Sequence, residues 1–92
     1  MIFEWDPLKD QSNRKKHALD FESSKTIWED PDRIEIVAPY PLENRVILIG
    51  AVKSQLWTAV YTWRRGAIRI ISVRRSRKKE KELYEKEKHG QR

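Results

Sequence analysis

Arginine side chains are concentrated where an apolar stretch of the sequence changes into a charged one. Residues 68–73 read Ile-Arg-Ile-Ile-Ser-Val, which is apolar and β-branched enough for a buried strand. Residues 76–81 read Ser-Arg-Lys-Lys-Glu-Lys, which suits an exposed helix. Arg74 and Arg75 lie at the change between the two. Because arginine forks match phosphate oxygens and helix N-termini carry partial positive charge, this strand–helix junction is predicted to bind RNA.

Cleavage of RNA requires few protein groups, because the 2′-hydroxyl of the substrate is the nucleophile. The enzyme must accept that proton, neutralise charge on the phosphate and protonate the leaving 5′-oxygen. The candidate catalytic residues are therefore Glu4, Lys16, His17, Tyr61, Arg69, Arg74 and Arg75, with Glu80 as a further carboxylate. The candidate RNA-binding residues are Arg64, Arg65, Arg77, Lys78 and Lys79.

These residues also have ordinary structural interpretations. His17 could cap a helix end, and Arg69 could pair with a carboxylate on the sheet such as Glu35 or Glu4. Residues 74–75 could form a solvated helix start, and Tyr61 fits a core position better than a base-stacking platform. The assignment of roles among the candidates therefore stays open.

The chain is basic, and its positive charge is localised. Its 92 residues correspond to a single domain over residues 1–92, with a formal net charge of +6. Residues 64–81 contain nine basic side chains and one acidic side chain. A localised positive field favours a polyanionic partner such as nucleic acid, whereas a dispersed one would only aid solubility.

Several site classes find no support in the composition. Without cysteine there is no disulfide, thiolate metal site or Cys nucleophile. His17 and His89 are far apart with no carboxylate at metal-ligand spacing, and no glycine-rich phosphate loop is present, so neither a metal nor another cofactor is expected. No run is apolar enough for a membrane span, and no signal pattern precedes Glu4, so the expected location is the cytoplasm.

The pattern of elements predicts an α+β fold. Residues 1–5 suit a strand or an ordered arm; Asp6 with Pro7, and later Asp20, are helix-start signals, and the second helix ends before Pro31. Short connections then predict an antiparallel meander of about four strands. The predicted strands are 33–38, 45–52, 56–64 and 68–74.

Strict alternation along the last strand would place residues 68, 70, 72 and 74 on one face and residues 69, 71, 73 and 75 on the other. Ser76 is the predicted cap of a basic C-terminal helix that runs to about Lys88. This helix has only Leu83 and Tyr84 as apolar residues, so it must pack on the sheet or be ordered by a partner.

Three blocks of the sequence resemble the BrnT toxins in the same order. The first is Phe3-Glu4-Trp5-Asp6 followed by Lys9, Asn13, Lys16-His17, Phe21 and Asp30-Pro31. The second is Asn44-Arg45 with Ile49-Gly50, and the third is residues 69–75 with Glu80 and Tyr84. Ala18 stands where the family usually has glycine, and Val73 and Ser76 stand where it usually has alanine.

This resemblance implies a RelE-like fold and a type II toxin–antitoxin toxin that cleaves RNA and arrests growth. It also implies a partner: a BrnA-type antitoxin with a ribbon-helix-helix DNA-binding part, in a complex that represses its own operon. Two alternatives stay open from the residues themselves. The basic surface could bind nucleic acid without cleaving it, or it could exist to meet an acidic protein.

Overall fold

The structure, a computed structural model, describes residues 1–90 and has an α+β fold. The strands are β1 (Phe3–Trp5), β2 (Ile34–Ala38), β3 (Arg45–Val52), β4 (Gln55–Arg64) and β5 (Ala67–Arg75). The helices are α1 (Pro7–His17), α2 (Phe21–Ser24) and α3 (Lys78–Gly90), with a 3₁₀ segment at Lys25–Glu29. Within residues 1–90, no helix is long and apolar enough to cross a membrane.

The five strands form one mixed sheet in the order β1-β5-β4-β3-β2. Strands β2 to β5 are the predicted antiparallel meander. Two-residue turns with positive φ, at residues 53–54 and 65–66, join β3 to β4 and β4 to β5. The prediction of about four antiparallel strands was wrong in one respect: β1 adds a fifth strand, parallel to β5, so the first and last strands of the chain are neighbours.

The predicted N-terminal capping residues are confirmed. The Asp6 carboxylate accepts a hydrogen bond from the Leu8 amide at 2.9 Å, with Pro7 opening α1. The Asp20 carboxylate accepts one from the Ser23 amide at 2.8 Å and opens α2. The 3₁₀ segment ends at Glu29, before the proline, as expected.

One face of the sheet, called the inner face, carries Leu48, Ala59, Tyr61 and Val73 against α2 and the 3₁₀ segment. The helical segments contribute Phe21, Ile27 and Trp28 to this core. All seven side chains are buried. The opposite face, called the outer face, carries the alternate residues of each strand.

A β-bulge in β5 changes which arginines share a face. Val60 of β4 pairs with Ser72, but the next residue, Tyr61, pairs with Ile70, so Ile71 is an extra residue. The prediction of strict alternation was therefore wrong beyond Ile71. Arg69, before the bulge, and Arg74, after it, lie on the same outer face although they are five residues apart.

Helix α3 packs at one end of the outer face. Buried Thr58 of β4 shares a hydrogen bond with Ser76 Oγ at 2.8 Å, and buried Tyr84 donates one to the Asp30 carboxylate at 2.6 Å. The prediction that Ser76 caps α3 was wrong: α3 begins at Lys78, because the Ser76 hydroxyl is engaged by the sheet. The other end of the outer face, about four strand residues or roughly 14 Å away, is not covered by α3.

Candidate nucleic-acid interface

The uncovered end of the outer face carries a row of residues that crosses all five strands, here called the cross-strand row. Arg69 of β5 pairs in register with Glu4 of β1 on one side and Thr62 of β4 on the other. Arg45 precedes Val46, the partner of Tyr61, so Arg45 lies beside Thr62. The row consists of Ala38, Arg45, Thr62, Arg69 and Glu4.

Within the cross-strand row, Arg69 Nη1 lies 2.7 Å from a carboxylate oxygen of Glu4. Their side chains are 27% and 40% exposed, so both groups are accessible to a ligand. This is one of the pairings that the sequence left open for Arg69. A partly exposed ion pair stabilises the fold little, so a phosphate that replaces the carboxylate as the arginine's partner costs little folding free energy.

A second ion pair borders the row. Arg64, two residues after Thr62 in β4, pairs with Glu43 at 3.0 Å. The hydrogen bonds between them raise the pKa of Arg64 and lower that of Glu43; the Glu4 carboxylate adds to the shift at Arg64. Three guanidinium groups and two carboxylates therefore lie at this end of the sheet: those of Arg45, Arg64, Arg69, Glu4 and Glu43. The excess of positive charge is suited to attracting a polyanion.

The predicted phosphate-binding site at the junction of β5 and α3 is already occupied by a carboxylate of the protein. Arg74 donates both arms of its guanidinium to Glu80, each at 2.7 Å. The same carboxylate accepts hydrogen bonds from the Arg77 amide at 2.7 Å and the Thr58 hydroxyl at 3.0 Å. These contacts, with the arginine foremost, lower the pKa of Glu80 to about 2. The junction is therefore an internal ion pair rather than an open phosphate site.

Arg75 and Tyr61 lie on the inner face, away from the cross-strand row. Arg75 is exposed and lies over the Trp57 ring, 5.4 Å from its centroid. Tyr61 is buried against Trp28, and its hydroxyl donates to Glu35 at 3.3 Å. Burial, with the neighbouring carboxylate, raises the pKa of Tyr61 to about 12. The structure therefore does not bring the predicted catalytic set together at one phosphate.

Lys16 and His17 line a separate depression between α1 and β5. Its volume is about 210 Å³, and its lining consists of Lys9, Ser12, Asn13, Lys16, His17, Ile71 and Ser72. His17 ends α1, and the next residue, Ala18, adopts φ 62° where the resemblance led us to expect glycine. The amide of Ala18 donates to the Arg14 carbonyl at 3.1 Å and closes the helix.

Both α1 and β5 line this depression, and β5 connects it to the cross-strand row. Glu4 precedes α1 and His17 ends it, and 11 helical residues extend about 16 Å. Ile71 and Ser72 line the depression, and Arg69 lies two residues before Ile71 in β5, so the depression adjoins the cross-strand row. Of the predicted RNA-binding residues, Arg64 borders the row and Arg65 occupies the exposed turn beside it. Residues 77–79 are exposed at the far end of the sheet, at the start of α3.

Two residues of the interface were not predicted as site residues from the sequence. Arg45 is the first residue of the predicted strand 45–52, and Tyr40 lies in the connection between that strand and the predicted strand 33–38. In the structure the Arg45 guanidinium lies 4.4 Å from the centroid of the Tyr40 ring. The signal that could have found them is a cation at the start of a strand otherwise free of charge, next to an aromatic turn.

No metal centre is evident in this interface. Residues 1–90 contain no group of three or more His, Cys, Asp and Glu side chains placed to hold a metal ion. What the interface offers is guanidinium and carboxylate chemistry: stabilisation of phosphate charge by arginine and proton transfer by a carboxylate.

The fold and this charge arrangement define a class: small, basic α+β proteins whose sheet carries arginine side chains on a partly exposed face. Residues 5–80 match the family described as "Ribonuclease toxin, BrnT, of type II toxin-antitoxin system". The chain therefore belongs to the BrnT family of type II toxin–antitoxin toxins, which confirms the resemblance seen in the sequence. A cognate antitoxin is the partner that this family implies. A comparison with curated proteins finds no match.

Proposed function

We propose that the protein is an endoribonuclease that cuts RNA by attack of the substrate's own 2′-hydroxyl, without a metal ion, and so inhibits translation and growth. The observation that carries this proposal is the accessible Arg69–Glu4 pair on the cationic outer face of a chain in a ribonuclease toxin family. Arg69 neutralises charge on the phosphate as it becomes pentavalent. Arg64 and Arg45, which are engaged by Glu43 and the Tyr40 ring, contribute long-range attraction for the neighbouring backbone.

Glu4 accepts the proton of the 2′-hydroxyl as the bond from that oxygen to phosphorus forms; the P–O5′ bond breaks, and a water molecule protonates the leaving 5′-oxygen. A general base must lie within hydrogen-bond reach of the proton it removes, and Glu4 lies beside the arginine that holds the phosphate. His17 and Lys16, which line the neighbouring depression between α1 and β5, contact the RNA backbone beside the cleaved linkage. Arg74 acts as a positioning residue that joins β5 to α3 through Glu80, and Tyr61 supports the sheet from the core.

The test is cleavage of a single-stranded RNA oligonucleotide by purified protein in the presence of a chelator. Arg69→Ala and Glu4→Gln should each reduce the cleavage rate at least about tenfold, the equivalent of about 1.4 kcal/mol of transition-state stabilisation. Arg77→Ala is the matched control, because it removes a guanidinium at the far end of the sheet. It should weaken binding at low salt and leave the rate at saturation unchanged.

A substrate with a single 2′-deoxy position at the cleaved linkage should resist cleavage there, because it lacks the nucleophile. Cleavage that depends on added magnesium, or that proceeds at the 2′-deoxy position, would contradict the mechanism. Salt-sensitive binding without any cleavage would instead favour a nucleic-acid-binding module. If His17→Gln abolished cleavage while Glu4→Gln did not, the chemistry would belong to the depression between α1 and β5.

Neutralisation is proposed to come from a BrnA-type antitoxin with a ribbon-helix-helix DNA-binding part, in a cytoplasmic complex that binds its own operator. Family membership supports the existence of such a partner. Expression of the chain alone should arrest growth, and co-expression with the product of a neighbouring short reading frame should restore growth. Growth that is unaffected by the chain alone would contradict a toxin.

A further inference from the structure

The loop between β2 and β3 holds an aromatic ring at the border of the cross-strand row. Tyr40 is 49% exposed and Leu42 is 98% exposed. The Arg45 guanidinium lies 4.4 Å from the Tyr40 ring centroid, so one face of the ring is backed by a cation. A cavity of about 200 Å³ opens beside the ring, lined by Tyr40, Pro41, Leu42, Glu43 and Arg45.

This loop is held against the sheet at the level of the cross-strand row. Buried Thr62 donates a hydrogen bond to the Asn44 carbonyl at 2.8 Å, and Glu43 pairs with Arg64. The Arg45 Nε is buried and has no hydrogen-bond partner within residues 1–90, and the guanidinium lies against the Tyr40 ring. The ring is therefore presented by an anchored loop that leads into Arg45, and Arg45 lies two strands or about 10 Å from Arg69.

We propose that Tyr40 is a stacking platform for an unpaired base of the RNA, with Arg45 backing the ring and Leu42 and Pro41 bordering the base. This subsite rests on the proposed function, since it serves a strand whose phosphate lies at Arg69. Each nucleobase has a π-face, and stacking on an aromatic side chain is a main source of affinity for single strands. A base bound here would set the position of the strand on the outer face.

An acidic protein segment fits these groups less well than a base. Arg64 is already paired with Glu43, and Arg45 lies against the ring with its Nε buried, so the loop offers an aromatic face more than free positive charge. An unpaired base uses the aromatic face directly and leaves both existing contacts intact.

The test is the affinity of the protein for a short single-stranded 2′-O-methyl oligonucleotide, which lacks the nucleophile, measured by fluorescence anisotropy. Tyr40→Leu should weaken binding at least about fivefold, whereas Tyr40→Phe, which keeps the aromatic face, should bind as wild type does. An abasic oligonucleotide of the same length should bind wild type and Tyr40→Leu equally. Tyr40→Leu should leave the salt dependence of the affinity unchanged. Arg69→Ala should make that dependence shallower, by an amount that corresponds to about one phosphate contact.

Two results would overturn the subsite: wild-type affinity for Tyr40→Leu, or an equal loss of affinity on the abasic oligonucleotide. Loss of antitoxin binding by Tyr40→Leu with unchanged RNA binding would assign the loop to the protein partner instead. The cleavage assay separates this proposal from the previous one. If wild type cleaves RNA but the Tyr40 variants do not show the expected affinities, the subsite alone is rejected. If the Tyr40 variants show the expected affinities but wild type does not cleave RNA, the ribonuclease proposal is rejected and the base subsite stands.

Discussion

Replacement of Glu80 by glutamine is the substitution with the clearest energetic consequence. The carboxylate accepts two hydrogen bonds from Arg74, one from the Arg77 amide and one from the Thr58 hydroxyl. A glutamine amide removes the charge and turns a donor toward the guanidinium. The Arg74 side chain, which is only 24% exposed, is then left without its counter-ion. Glu80→Gln therefore weakens the connection between the sheet and the start of α3.

The pKa of Glu80 sets the size of this effect. A fall from the ordinary value of 4.5 to about 2 corresponds to roughly 3 kcal/mol of preference for the charged form in the folded state. The side chain is 20% exposed, so solvent screening reduces this to about 2 kcal/mol at pH 7. For a protein of this size, that loss lowers the melting temperature by roughly 8–16 °C.

The pH dependence supplies an independent readout of the same ion pair. Because the folded pKa of Glu80 lies below its unfolded value, the stabilisation is complete above about pH 5 and is lost as the pH falls toward 2. The difference in unfolding free energy between wild type and Glu80→Gln should therefore shrink from about 2 kcal/mol at pH 7 toward zero below about pH 2. Urea unfolding followed by circular dichroism at several pH values measures it.

The matched control is Glu82→Gln. The Glu82 carboxylate lies in the same helix, is exposed and makes no ion pair within residues 1–90. Its stability should stay within about 0.5 kcal/mol of wild type. A Glu80→Gln protein as stable as wild type at pH 7 would refute the reasoning. So would a difference in stability that does not change with pH, because the charge would then not be its cause.

Two further substitutions test how α1 is attached and how it ends. Asn13→Ala should lower the unfolding free energy by about 2–3 kcal/mol, because the buried Val73 amide loses its acceptor at 3.1 Å and the Leu19 carbonyl loses its donor; urea unfolding measures this. Ala18→Gly should raise the melting temperature, with a gain of about 1 kcal/mol, because φ is 62° at this residue and glycine adopts that conformation without strain.

Neighbouring residues provide the controls for both substitutions. Ser12→Ala, at the exposed position next to Asn13, should leave stability nearly unchanged. Ala51→Gly, in a strand with ordinary backbone angles, should destabilise the protein, opposite in sign to Ala18→Gly. Unchanged stability of Asn13→Ala, or destabilisation by Ala18→Gly, would show that these contacts do not have the energetic roles assigned to them.

The sequence alone determined the local features of this protein. The caps at Asp6 and Asp20 and the three hairpin-connected pairs depend on residues within a few positions of one another, where capping and side-chain alternation act. The family was also identifiable, because its blocks of residues occur in order along the chain.

Only the tertiary structure decided which charges meet. Arg69 and Glu4 are 65 residues apart and become neighbours because β1 pairs with β5, a contact that no local pattern encodes. The bulge at Ile71 placed Arg69 and Arg74 on one face, and packing of α3 on the sheet brought Glu80 to the position predicted for a phosphate. An arginine-rich segment predicts positive charge from the sequence, but its ion-pair partner depends on the packing of the whole fold.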